Sequence, residues 1–295
     1  MATSNGVART LAAAPSQAPT AALRGPHAGA VAASGRAGAG RGAAPLHAYV
    51  LHSFDWSETS LIVELFTRTV GRVVVAAKGA KRPTSQLRAV LLPFQPVLVV
   101  LGKTPADEQA EVMTLRSAEW VGGRPLLGPA AMLPGFYMNE LLLKLLARQD
   151  PHPALFEGYA DTLTALALQT DEAVTLRAFE LLLLREMGVL PDLSQVTQTA
   201  QPLRVGVAYT VEAETGLQEA GRGGAPGAAW LAIHAALVHG SQAALGAACK
   251  PVAAALRAPL RALLQYHLGH SKLRTRQVWQ DMQRLTAAPA PAPAL

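Results

Sequence analysis

The spacing of hydrophobic positions changes character twice along the chain. Residues 1–45 are dominated by Ala, Gly, Pro, Ser and Arg, with no aromatic residue and no hydrophobic period. Such a segment buries too little apolar surface to offset its ordering entropy and is predicted to be disordered. From His47 short β-type runs begin. They are Tyr49-Val50-Leu51, Leu61 to Phe66, Arg72 to Val75, Val97 to Leu101 and Val112 to Leu115, separated by turn signals such as Asp55-Trp56-Ser57-Glu58 and Thr69-Val70-Gly71. In the second run Leu61, Val63 and Leu65 fall on one face and Ile62, Glu64 and Phe66 on the other. Five strands at this spacing suit a small closed barrel of the OB type over residues 46–121, with a fragment of a β-sandwich as the alternative that local patterning leaves open.

After Pro125 the period becomes helical. Met138–Leu146, the segment carrying Phe156, Tyr159, Leu163 and Leu166, and Leu176–Met187 are predicted helices. Asp150-Pro151-His152-Pro153 separates the first two, and Gly188 and Pro191 stop the third. Val205, Val207, Tyr209 and Val211 alternate as in a small hairpin, and Gly221–Gly227 reads as a flexible loop. Trp230–Leu245, Pro251–Tyr266 and Thr275–Leu285 are the remaining predicted helices. The fold class expected is therefore α+β, with a five-stranded N-terminal barrel and a mainly helical domain over 122–285 carrying a small β insert. The Pro-rich residues 286–295 are expected to be a disordered tail.

Charge narrows the functional classes. The 295-residue chain has a formal net charge of +6 and one cysteine, Cys249. That count excludes a disulfide framework and a four-cysteine zinc site, so no cofactor or metal is expected. No apolar run is long enough to cross a bilayer, and Leu11–Ala14 is too short for a signal-peptide core, so a cytoplasmic setting is expected. Residues 122–249 hold seven basic and twelve acidic groups, while residues 250–295 hold seven and one. Residues 71–103 contain Arg72, Lys78, Lys81, Arg82, Arg88 and Lys103 and no acid. Between barrel strands these cations suit nucleic-acid phosphates, which dominate affinity without sequence readout. A solvated basic loop is the competing interpretation. Stacking platforms are sparse, the candidates being Tyr49, Phe54, Trp56, Phe66 and Phe94. Trp56 is expected to be exposed and Tyr49, Phe66 and Phe94 to pack in the core or rim, so binding is expected to be electrostatic rather than base-specific.

Signals for catalysis fail on inspection. Gly102-Lys103-Thr104 resembles the end of a phosphate-binding loop, but the required upstream glycine position holds Val97. Cys249 lies among Ala247, Ala248 and Pro251 without an acid nearby. With no nucleophile–base constellation, the chain is not expected to be an enzyme.

Several segments, in order, resemble the RecO family. They include Ala48-Tyr49-Val50-Leu51-His52, Trp56-Ser57-Glu58-Thr59-Ser60-Leu61, Ala77-Lys78-Gly79-Ala80, Leu92-Pro93-Phe94-Gln95-Pro96, Leu115-Arg116-Ser117-Ala118-Glu119, Asn139-Glu140-Leu141-Leu142, Arg177-Ala178-Phe179-Glu180-Leu181 and Gly269–Arg276. The resemblance spans residues 47–285 and is thinnest between 192 and 250. It implies a recombination mediator in DNA repair that binds single- and double-stranded DNA, anneals strands, and helps load RecA on single-stranded DNA with RecR. It also implies docking of the acidic tail of single-strand-binding protein, which ends in a phenylalanine. For that tail Arg177 is the candidate anchor, with Lys272, Arg274 and Arg276 as a basic rim. Many members carry a four-cysteine zinc site where this chain has Leu193–Gln198, without cysteine. A protein-interaction adaptor whose barrel holds no nucleic acid remains the alternative.

Overall fold

The alternating runs form five strands: β1 (Leu46–Asp55), β2 (Leu61–Thr67), β3 (Gly71–Ala77), β4 (Pro96–Leu101) and β5 (Val112–Trp120). In the computed structural model, which describes residues 44–102 and 112–287, they close in the order β1-β2-β3-β5-β4. The β3–β5 pair is parallel and its neighbours are antiparallel; a short helix, α1 (Leu87–Val90), lies between β3 and β4. This is the five-stranded OB architecture. Val50, Val63, Leu65, Val75, Val97, Val99 and Leu115 fill its interior. The expectations for residues 1–43, for 288–295 and for Lys103 fall outside the described residues.

The helical part comprises α2 (Pro129–Leu145), α3 (Pro153–Ala167), α4 (Glu172–Glu186), α5 (Gly227–His239), α6 (Gln242–Cys249), α7 (Ala253–Leu268) and α8 (Arg274–Ala287). Asp171 caps α4 by accepting from the Val174 N–H. Leu181 to Leu184 are buried on every side of α4, as a central helix requires. The hairpin is β6 (Ala208–Glu212) with β7 (Gly216–Glu219), joined by β8 (Ala225–Pro226) in the order β7-β6-β8. Trp230, fully buried, donates its indole N–H to the Tyr209 carbonyl and fixes this small sheet to the helices.

Three expectations are corrected. The helix predicted over Trp230–Leu245 is two helices, because Gly240 takes a left-handed φ of 68° and Ser241 caps the next helix by accepting from Ala244. The segment Gly221–Gly227 is not loop throughout, since Ala225 pairs with Tyr209 and Gly227 opens α5. Residues 286 and 287, expected to belong to the tail, are the last residues of α8.

The barrel is joined to the helices along half of its outer face. Tyr49, Leu51 and Phe66 point outward from β1 and β2 and belong to the helical core, with the Tyr49 ring 5.3 Å from Phe156 and 5.0 Å from Tyr159. Asn139 donates to the Leu51 carbonyl at 2.9 Å and accepts from the Tyr159 hydroxyl at 2.6 Å. The β2–β3 turn seats on the loop after α2: Gly71 has φ 79°, and a Cβ there would lie 2.1 Å from the Asp150 carbonyl oxygen.

Candidate nucleic-acid interface

The other half of the outer face stays open, for a local reason. The β1–β2 register slips between Val50 and His52, so that Leu51 and His52 both face outward. Beyond this bulge His52 and Phe54 sit opposite Glu64 and Ile62. They carry no helical cover: Phe54 is 51% exposed and Trp56 58%, whereas Tyr49, Phe66 and Phe94 are buried.

The basic loop packs on this end. The Lys81 backbone N–H donates to the Thr59 carbonyl, and its ammonium meets the Ser57 carbonyl and the Asp55 carboxylate, each at 3.2 Å. Gly79, at φ 72°, donates its N–H to the Ser60 hydroxyl, and the Arg82 side chain lies over it. Lys81 thus braces the β1–β2 turn. Lys78, Arg82 and Arg88 are exposed and have no ion-pair partner among the described residues. Arg116 joins them. Val112, Thr114 and Arg116 alternate outward on β5, and the parallel register pairing Ala76 with Thr114 carries Arg116 to the level of Lys78. Its signal in the sequence is that alternation, which lies beyond the acid-free stretch of residues 71–103.

Arg72 has a different position from the one expected. Its guanidinium donates to the Glu64 carboxylate at 3.0 Å and twice to the Leu146 carbonyl, at 3.1 and 3.2 Å. The side chains of Arg72 and Glu64 are 13% and 9% exposed, and Arg148 approaches Glu64 at 3.5 Å from the helical side. Arg72 therefore ties barrel to helices and is not turned toward a phosphate. The cause is Glu64, an outward acid on a strand whose outer face is covered.

The second set of expected residues lies at the junction of α2, α4, α7 and α8. Arg177 is held by Glu180 at 2.6 Å, and the Tyr137 hydroxyl donates to the same Glu180 oxygen at 2.8 Å. The other Glu180 oxygen and the Arg177 Nε are buried without a partner. Burial pushes the Glu180 carboxyl up to about 7, against the pull of Arg177, the Tyr137 hydroxyl and Arg257. Burial, and then Glu180, raise the Tyr137 hydroxyl well above its ordinary range. Cys249, close enough to feel the pair, is pushed up to about 12 by burial and is an inert thiol. Alongside runs a groove of about 510 Å³ with Ala254, Ala258 and Ala262 among its lining and Arg257, Arg261 and Arg276 around it.

Of the expected rim, only Arg276 lines this groove. Lys272 offers its carbonyl to the Lys144 ammonium, and the backbone N–H groups of Arg274 and Thr275 donate to the Glu140 carboxylate. Burial opposes ionisation of Glu140, but these N–H donors, the Thr275 hydroxyl and Lys144 outweigh it and hold the carboxyl below its usual range. Among the described residues no group of three or more His, Cys, Asp and Glu is arranged to hold a metal ion. Leu193 and Leu203 are buried in the segment after α4, where the Thr197 hydroxyl accepts from Leu217. No helix among the described residues is long and apolar enough to cross a membrane.

Residues 45–124 match the family model "Recombination protein O N terminal" and residues 129–277 match "Recombination protein O C terminal". Proteins named "DNA repair protein RecO" from Verminephrobacter eiseniae and Delftia acidovorans are 49% and 51% identical to the chain over 244 and 246 residues, in each case 81% of this chain and 96% of the relative. The relative from Polaromonas sp. is 47% identical over 246 residues, with the same coverage. The chain belongs to the RecO family of DNA repair proteins.

Proposed function

We propose that this chain is a non-enzymatic recombination mediator acting in the bacterial cytoplasm, where it binds and anneals DNA strands and, with RecR, assists loading of RecA on single-stranded DNA. The observation that carries the DNA-binding part is the open end of the barrel. Lys78, Arg82 and Arg88 are exposed there and unpaired among the described residues, with Arg116 at the level of Lys78. Fixed cations on a closed OB barrel neutralise phosphates and release counterions, so affinity falls steeply with salt. Lys81 contributes less directly, by bracing the turn. The role of Lys103 follows from its place in the chain alone.

A titration of oligo(dT) against the full chain at several salt concentrations tests this. The double variant Lys78→Ala, Arg82→Ala should bind more weakly, with the salt slope lower by about 0.7 for each phosphate that is no longer neutralised. Unchanged affinity and slope in the folded variant would leave the protein-adaptor reading in its place.

The groove beside α7 supports the partner implied for the helical domain, the acidic tail of single-strand-binding protein. Its alanine positions leave room for an apolar ring, and Arg257, Arg261 and Arg276 match an acidic peptide. Arg177 stays in this reading as the cation for the terminal carboxylate. Its Nε is an unused donor, and a Glu180 carboxyl poised near 7 gives up its charge readily when a second carboxylate arrives.

A further inference from the structure

We propose that bases of single-stranded DNA stack on Phe54 and Trp56, with His52 behind them, so that this end of the barrel selects unpaired strands over duplex. The inference rests on the DNA-binding reading above and adds the group that discriminates between strands. Isolated exposed rings are ordinary on a protein surface. Phe54, at the end of β1, and Trp56, in the turn just beyond it, are both large and more than half exposed, and they are not isolated: His52 contacts Phe54, and Lys81 of the basic loop is held on Asp55 between them in the chain. Of the barrel's other rings, Tyr49 and Phe66 are buried under the helices, and Trp120, 58% exposed at the end of β5, donates its indole N–H to Gln95 away from the basic loop's partners. The bulge at Leu51 turns His52 outward and sets its ring 4.3 Å from Phe54, centroid to centroid, at 75°. This edge-to-face contact holds Phe54 in place without solvent-side packing.

The spacing favours an unpaired strand. Phe54 ends the strand and Trp56 lies two residues on, in the turn, so their backbones stand farther apart than the roughly 3.4 Å rise of one strand in a duplex. Bases stacked at duplex spacing present no free faces to two such rings, whereas an extended single strand presents each face in turn. The charges give the strand a side for each of its parts. Asp55 and Glu58 flank Trp56, so phosphates are repelled from the tip of the turn. Lys81 is committed to Asp55 and to the turn's backbone. Lys78 and Arg82, with Arg116 at the level of Lys78, lie toward β3 and β5. The phosphates therefore track along the β3 side and the bases turn toward β1.

The test compares oligo(dT), a duplex of equal length and an abasic strand of equal length, each titrated against the full chain over a range of salt. Phe54→Ala and Trp56→Ala should each lower oligo(dT) affinity by about 10-fold or more, with the salt slope and duplex affinity unchanged. Phe54→Tyr, which keeps a ring, should retain affinity. The abasic strand should bind the parent protein no better than oligo(dT) binds the double variant Phe54→Ala, Trp56→Ala. The proposal is overturned if that double variant binds oligo(dT) like the parent, or if it loses single-strand and duplex affinity in equal measure. A parent protein that binds oligo(dT) while its ring variants are silent to the change sinks only the stacking proposal. A parent protein that binds no DNA sinks the DNA-binding reading as well.

Discussion

Replacing Arg72 with alanine separates a structural arginine from a phosphate-binding one. The change removes the 3.0 Å ion pair to Glu64 and both N–H donors to the Leu146 carbonyl at the end of α2. Breaking a buried pair from one side typically costs about 3–5 kcal/mol, because the remaining charge is left unsolvated. Glu64 keeps Arg148 at 3.5 Å, which offsets part of that loss, while the Leu146 carbonyl loses its bonds outright. The expected destabilisation is about 2–4 kcal/mol, a large share of the roughly 5–15 kcal/mol that stabilises most proteins. Urea denaturation followed by circular dichroism should show a lower midpoint with a similar slope. The salt slope for oligo(dT) should stay that of the parent, since Arg72 neutralises Glu64 and no phosphate. Arg72→Lys should restore only part of the stability, because an ammonium cannot fork to a carboxylate and a carbonyl as a guanidinium does. A folded Arg72→Ala protein within about 0.5 kcal/mol of the parent, with its salt slope lower by about 0.7, would refute the clamp and return Arg72 to the phosphate contacts.

Two further outcomes follow from the same geometry. Gly71→Ala should cost at least about 1–3 kcal/mol, read as a lowered melting temperature, because φ there is 79° and the added Cβ meets the Asp150 backbone at 2.1 Å; a melting temperature equal to the parent's would show that the turn does not seat on that loop. A peptide copying the acidic tail should bind more tightly as pH falls through about 7, since protonating Glu180 removes a competing carboxylate and frees Arg177, with Tyr137, Arg257, Arg261 and Cys249 the other ionisable groups around it. Calorimetry should find this dependence lost in Glu180→Gln, and a flat profile in the parent would disprove the link. The same raised carboxyl gives the fold a stability that is full at acid pH and declines as pH rises from the ordinary carboxyl range toward 7.

The barrel is legible in the sequence because a strand with one face in a core must alternate. Leu61, Val63 and Leu65 against Ile62, Glu64 and Phe66 already name the inner and outer faces. What alternation does not carry is which stretch of the outer face is covered. Phe66 and Phe54 are both outward aromatics on neighbouring strands, yet one is under α3 and the other in solvent. That difference comes from contacts between residues roughly a hundred positions apart, and from a bulge that leaves no turn residue to mark it. Arg72 departs from expectation for the same reason. A cation beside five others and no acid looks solvated, and the acid that claims it, Glu64, sits just upstream of the acid-free stretch. The break between α5 and α6 is readable in Gly240-Ser241, a helix stop followed directly by a helix start.

The half-covered barrel links these observations. An OB barrel closed on itself has no free sheet edge, so its ligands must use its outer face or its loops. In this chain the helices occupy the end of the face nearest the β2–β3 turn, held by Arg72, Asn139 and Gly71. A nucleic acid bound as proposed would be confined to the end beyond the bulge, where Phe54, Trp56 and the cations without an ion-pair partner among the described residues are gathered. The groove on α7 draws on Arg257, Arg261 and Arg276, none of which belongs to the barrel set. A strand on the barrel and an acidic peptide in the groove would thus engage separate cations. Neither ligand would then need to displace the other's contacts, so both proposed sites could be filled together on one chain, as the proposed mediator role requires.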